Sequence, residues 1–282
     1  MITDVPGIRV GHCTNTAART GCTVIVPPAG AIASGEIRGG APAERDFALL
    51  APARSVQHVD VVVLSGGSVF GLSAVDGALT WCEEQRIGLE TPFGRVPVVV
   101  GLSIFDLRVA TDRPGPEDGY AACGAATADP PATGLVGAGA GATVGTFLRP
   151  DDPQPGGVGS ASAVQGDLVV GALAVVNAGG ARLEPDAERR PAFDPPRNPL
   201  MNTTLAVVAT NARTDKLGCH LTAQSAHDGF ARALEPAHTA IDGDAAVVLA
   251  TGEVESPLDV VRVLAARAVE LSIRRALPDA AP

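Results

Sequence analysis

Asn202 and Thr203 stand where two unlike stretches of chain meet. Before them, RLEPDAERRPAFDPPRNPLMN (182–202) is rich in Pro, Arg and acidic residues without periodicity, which predicts an exposed linker. After them, TTLAVVAT (203–210) predicts a buried β-strand. Cutting the bond between them would give Thr203 both a hydroxyl nucleophile and a free α-amine. An ordinary α-amine, with a pKa of about 7.7–8.0, is a usable base at neutral pH. On the residues alone, Asn-Thr reads more simply as a turn followed by a β-branched residue.

A second constellation is HTAIDGDAAVVLATG, in which Asp242 and Asp244 flank Gly243 just before another apolar strand. Alternate residues there share a face, so both carboxylates can reach a neighbouring strand end, orient Thr203 and hold a proton. The same letters also spell an Asp-Gly-Asp β-turn. Calcium is not expected, because the other oxygen ligands of an EF-hand loop are missing. Asn177 closes a long apolar run; its uncharged amide suits an oxyanion, or simply a turn before Gly179 and Gly180. The glycine-dense GAGAGATVG (137–145) offers backbone amides to an anion, or only a tight crossing. GGSVFG (66–71) does not complete a dinucleotide fingerprint.

Composition removes other chemistries. A formal charge of -10 without a basic stripe argues against nucleic acid. Lys216 is the only lysine, which leaves one candidate for Schiff-base or phosphate-loop roles, and it reads as a solvated loop charge. The 5 cysteines are scattered without a Cys-x-x-Cys pair, so free buried thiols are expected. Cys219, His220 and His227 come nearest to a metal set, but adjacent side chains diverge and zinc is not expected. No cofactor is called for. The start, MITDVPGIRVGH, lacks the basic and apolar regions of a signal peptide, and no stretch approaches the roughly 20 apolar residues of a membrane span. A soluble cytoplasmic protein with no membrane or nucleic-acid partner is the expectation.

These residues need a scaffold. CTVIVP (22–27), HVDVVVLS (58–65), RVPVVVGLSIFDL (95–107) and DAAVVLATG (244–252) predict strands. A hairpin is predicted through GGVGSASAVQGDLVVGALAVVNAGG (156–180), its second strand spanning 167–176. Between the strands, helices are predicted over 69–82, near 119–128 and around 222–233. A closing helix follows Ser256, with Ser256 as N-cap and Pro257 as first helical residue. Aromatics are only 3%, so the core must be Val, Ala, Leu and Ile. Interspersed strands and helices predict an α/β fold of sheets covered by helices, and residues 1–282 are taken as one domain.

Taken together, these segments resemble the L-aminopeptidase/D-esterase family, which includes β-peptidyl aminopeptidases and nylon-oligomer (6-aminohexanoate oligomer) hydrolases. PGIRVGH, TGCTVIV, RGGAPAERD, LSGGSVFGLSAVDG, GAGAGATVG, VGSAS, ALAVVNAGG, NTTLAVVATNA, AHDGFARAL and HTAIDGD carry the likeness, nearly end to end and in order. The resemblance implies a four-layer αββα sandwich akin to N-terminal-nucleophile hydrolases and ornithine acetyltransferases. It implies self-cleavage into residues 1–202 and 203–282, with Thr203 as nucleophile, Asp242 and Asp244 supporting it and Asn177 at the oxyanion. Short peptides, amino-acid amides or β-/ω-amino acid oligomers are the implied substrates, and a homo-oligomer, a tetramer, the implied assembly. The family's glycine-rich loop commonly ends in lysine, where this chain has Thr146. With Phe105, and alongside Phe70, Thr146 is a candidate for the substrate pocket. Two other readings stand beside hydrolysis: acyl transfer to an amine, and an uncleaved, catalytically silent binding protein.

Overall fold

The computed structural model describes residues 1–148, 150–183 and 202–277; most of the expected linker therefore lies outside the described residues. Ten strands make two five-stranded sheets. In chain order these are β1 (Arg9–Asn15), β2 (Thr20–Val26), β3 (Ile32–Ile37), β4 (Ala43–Arg45), β5 (Val61–Ser65) and β6 (Val99–Ser103). They continue with β7 (Gly157–Gln165), β8 (Leu168–Asn177), β9 (Thr203–Ala212) and β10 (Ala245–Val254). The helices are α1 (Ala74–Glu84), α2 (Pro116–Gly124), α3 (Lys216–Ala233) and α4 (Leu258–Ala276). The first sheet runs β1-β2-β5-β6-β4 and the second β7-β8-β9-β10-β3.

Side-chain alternation explains the layering. Val62 and Leu64 of β5 and Val100 and Leu102 of β6 point into a core shared with Leu173, Val175, Leu205, Val207, Val247 and Leu249 of the second sheet. On the far face of the first sheet, Val61, Val63 and Val99 pack against Ala74, Val75, Ala78, Trp81 and Cys82 of α1 and Ala122 and Cys123 of α2. On the far face of the second, Ala206, Val208, Ala246 and Val248 meet Ala223, Phe230, Ala265 and Val269 of α3 and α4. The result is the expected αββα sandwich. Central strands buried on both faces must be apolar at every position, which is why they read as continuous runs.

The β5-β6 and β9-β10 pairs are parallel, bridged by α1 and α3; the pairs on either side of them are antiparallel. β3 follows β2 in sequence yet leaves the first sheet to pair with β10, Ile37 opposite Ala245. That crossing, and β1 and β4 at the first sheet's edges, carry no local apolar signal.

Three local expectations are corrected. α2 begins at Pro116, which opens the helix with its fixed φ, and ends at Gly124, earlier than the small-residue pattern suggested. α4 begins at Leu258 with Pro257 as N-cap, and the Ser256 hydroxyl makes no capping bond. Lys216 is not a solvated loop charge. It is buried, opens α3, and its Nζ donates to the carbonyls of Leu49 (2.7 Å), Arg54 (3.1 Å) and Val56. The cysteines are free, as expected, four of them buried. His220 Nδ1 contacts the Gly35 carbonyl and Cys219 Sγ donates to that of Ile32, so they do not converge on a metal.

Candidate active site

Thr203 is the first residue of β9, and ladder pairing sets it directly opposite Asn177, the last residue of β8. A bridge between Asn202 and Asp242 keeps the parallel β9-β10 register one residue before β9 and three before β10. Thus Thr203, Asn177 and the Asp242–Asp244 turn meet at one end of the second sheet, and all four side chains are at least 97% buried.

The bond before Thr203 is held in an unusual setting. The Thr203 hydroxyl donates to the Asn202 carbonyl at 2.6 Å, and the Gly243 N–H donates to the same oxygen at 2.9 Å. The Asn202 side-chain oxygen accepts from the Thr146 hydroxyl at 2.9 Å. Thr146 therefore touches the residue on the far side of that bond. Gly243 cannot carry a side chain without consequence, since a Cβ there would lie 2.7 Å from Thr203 Oγ1.

The two acids divide their contacts. Asp244 Oδ1 accepts from Thr204 N at 2.7 Å, and its Oδ2 from both the backbone N and Nδ1 of His238, each at 2.9 Å. Asp242 Oδ2 accepts from Thr239 N (2.9 Å) and the Thr239 hydroxyl (2.6 Å), while its Oδ1 is buried with no hydrogen-bond partner. Burial first, and the neighbouring Asp244 carboxylate second, push the Asp242 carboxyl up to about 6. Neither acid bonds the Thr203 hydroxyl directly. Asp244 reaches Thr203 only through the backbone N–H of the next residue, Thr204.

Asn177 spends Oδ1 on Thr143 N and one Nδ2 hydrogen on the Phe105 carbonyl, both at 2.9 Å. A second Nδ2 hydrogen is left by the chemistry of an amide. Phe105 is half-buried beside it, and Thr146 is buried next to Asn202. Phe70 lies 51% exposed under the Arg113 guanidinium. Backbone bonds from Arg38, Gly39 and Ala41 clamp the acidic turn: Arg38 N and Gly39 N to Asp244 O, and Ala41 N to Asp242 O. A Cβ on Gly39 would come within 2.3 Å of that turn's backbone, which is why RGGAP is glycine-rich. The letters HTAIDGD alone assign no roles to His238, Thr239 or the Gly243 N–H. The i, i+3 spacing of Thr239 and Asp242 was the available signal.

Among the described residues no group of three His, Cys, Asp or Glu side chains could hold a metal ion, and no helix is long and apolar enough to cross a membrane. A model of peptidase family S58 matches residues 1–281. The chain belongs to that family. It is 41% identical to an uncharacterized aminopeptidase of Mycobacterium tuberculosis, over 91% of this chain and 83% of that one. It is 31% identical to the 6-aminohexanoate-oligomer endohydrolase of a Kocuria species, over 90% of this chain and 76% of the other. Among solved structures, a Burkholderia beta-aminopeptidase superimposes with a TM-score of 0.74 at 26% identity, covering 98% of this chain and 85% of its own. The L-aminopeptidase D-Ala-esterase/amidase of Ochrobactrum anthropi, described as a variant of the Ntn hydrolase fold, gives 0.75 at 20%, covering 98% and 85%, a likeness of fold. This S58 chain is a hydrolase of the aminopeptidase and amidohydrolase kind.

Proposed function

We propose that this S58 hydrolase cuts its own chain between Asn202 and Thr203 and then uses Thr203 as an N-terminal nucleophile. The observation that carries the reading is the pair of donors on the Asn202 carbonyl: the Thr203 hydroxyl at 2.6 Å and the Gly243 N–H at 2.9 Å. The first belongs to the attacking group. The second points where negative charge develops when that carbonyl becomes tetrahedral.

In maturation, Thr203 Oγ attacks the Asn202 carbonyl carbon and its proton passes to a base. Asp242 suits that task, with a buried, unpartnered Oδ1 and a carboxyl at about 6, largely ionised at neutral pH yet able to hold a proton. The oxyanion rests on the Gly243 N–H. As the C–N bond breaks, the proton moves to the departing Thr203 nitrogen, leaving an ester that water hydrolyses to the Asn202 carboxylate and free Thr203.

In turnover, Thr203 Oγ attacks a substrate amide and its own α-amine takes the proton. The remaining Nδ2 hydrogen of Asn177, opposite Thr203 in the ladder, serves the oxyanion. The amine product leaves with a proton, and water releases the acyl group. Asp244 holds the nucleophile through Thr204 N. Substrates are short peptides, amino-acid amides or β-/ω-amino acid oligomers, in keeping with the aminopeptidase and 6-aminohexanoate-oligomer names of the relatives. The protein's acidity favours substrates with a free amine; equal turnover of N-acetylated ones removes that preference.

N-terminal sequencing of the smaller species on a denaturing gel, beside hydrolysis of aminoacyl p-nitroanilides, tests the reading. A sequence beginning TTLAVV, with hydrolysis abolished in Thr203→Ala, supports it. An active but uncut chain overturns it.

A further inference from the structure

His238 takes no part in those steps, yet it is built into the site. Its φ of +58° lies in the left-handed region, which His visits more readily than most residues. That geometry brings both its backbone N–H and its Nδ1 to one oxygen of Asp244, each at 2.9 Å, while the other oxygen takes Thr204 N at 2.7 Å. The ring is wedged against two side chains of α3. His227 meets it nearly edge-on, with centroids 4.7 Å apart at 77°, and Phe230 lies 5.2 Å away. His227 is in turn fixed by its Nε2 contact to the Glu36 carbonyl of β3 at 3.1 Å. Burial first, and His238 next, hold the His227 imidazole down to about 4, so it is neutral at pH 7.

We propose that His238 is a positioning residue: through Asp244 it fixes the Thr204 peptide, and so aims the hydroxyl and amine of Thr203. The inference rests on the reading of Thr203 as nucleophile. A carboxylate held by three donors from two chain segments cannot rotate, whereas one that has lost its side-chain donor can. His238 Nε2 and His227 Nδ1 are both buried without hydrogen-bond partners, so the Nδ1–H of His238 faces Asp244 and its other nitrogen has no competing bond. Around Asp244 stand Asp242 in the same turn and His227 on α3, and Arg38 N donates to the Asp244 backbone carbonyl.

The test compares His238→Phe, which keeps a ring against His227 and Phe230 but lacks the donor, with His238→Asn, which keeps an amide donor and tolerates positive φ. Thr203→Ala is carried alongside. Self-cleavage is followed by intact mass, hydrolysis across pH with an aminoacyl p-nitroanilide, and folding by thermal melting in the Thr203→Ala background. The expected result for His238→Phe is about a tenfold loss in cleavage rate and kcat with KM within about twofold, the signature of lost positioning. His238→Asn recovers most of the loss. Rates of His238→Phe within twofold of the parent, or an Asn variant as slow as the Phe variant, overturn the inference while leaving the nucleophile untouched. In the parent protein, ring ¹⁵N shifts must report Nδ1–H for His238; the Nε2–H tautomer overturns the inference whether or not the variants fold. Cleavage that persists in Thr203→Ala overturns the underlying reading instead.

Discussion

An added carbon on Gly243 would lie 2.7 Å from Thr203 Oγ1, 3.0 Å from the Ala41 carbonyl oxygen and 3.2 Å from Pro42 Cα. Gly243→Ala should therefore slow self-cleavage by about tenfold or more, since misplacement of a reacting atom is costly; a time course of intact mass checks this. Asp242 makes a prediction with a sign. Its folded value of about 6 lies above the ordinary 3.8, so the fold favours the protonated form. The stabilising contribution is complete below the unfolded value and is lost as pH rises through the folded one, leaving a net cost at pH 7.5. In the Thr203→Ala background, Asp242→Asn should stabilise the chain by about 1–3 kcal/mol at pH 7.5 and by little at pH 4, measured by urea unfolding. With Thr203 present, the same change should slow cleavage, and the unaltered chain should lose rate as pH falls below about 6. Stability here is given up for a carboxylate that can take a proton.

Strands rather than single residues decide how these groups meet. Asn177 and Thr203 are 26 positions apart, and only the antiparallel β8-β9 register puts one opposite the other. The apolar runs of β2, β5, β8, β9 and β10 were legible in the sequence because strands buried on both faces must be hydrophobic throughout. β1, β3 and β4 were not, because glycines and polar residues at sheet edges break that signal and their partners are distant in sequence. The division of labour between Asp242 and Asp244 was equally hidden. Both read as carboxylates beside a strand, and the difference lies in what His238, Thr239 and Thr204 donate to them. Lys216 shows the same limit. Its charge suggested solvent, but the loop carbonyls of Leu49, Arg54 and Val56 converge on it. Lys216→Met would leave those carbonyls without their donor and should cost about 2–4 kcal/mol in urea unfolding of the Thr203→Ala chain. A loss under 0.5 kcal/mol would show that water replaces the ammonium.

At the scale of the whole molecule, cleavage before Thr203 would make two pieces that cannot part without unfolding. β9 and β10 would belong to the smaller piece, yet they lie inside the second sheet between β8 and β3 of the larger. α4, also from the smaller piece, packs on β7 and β8. The pieces should co-elute in native buffer and separate only in denaturant; dissociation by gel filtration without denaturant would contradict the topology. A homo-oligomer, proposed from the family likeness, is read by the same column with light scattering, where a tetramer of intact or nicked protomers is expected. The proposed activity rests on Thr203 cutting the chain that carries it. Intact-mass spectrometry under denaturing conditions tests it most directly, with Thr203→Ala alongside. Two masses that sum to the chain plus one water and meet between Asn202 and Thr203, replaced by one mass in the variant, are predicted. A single full-length mass in both would contradict it and would favour an uncut chain in which Thr146 contacts Asn202.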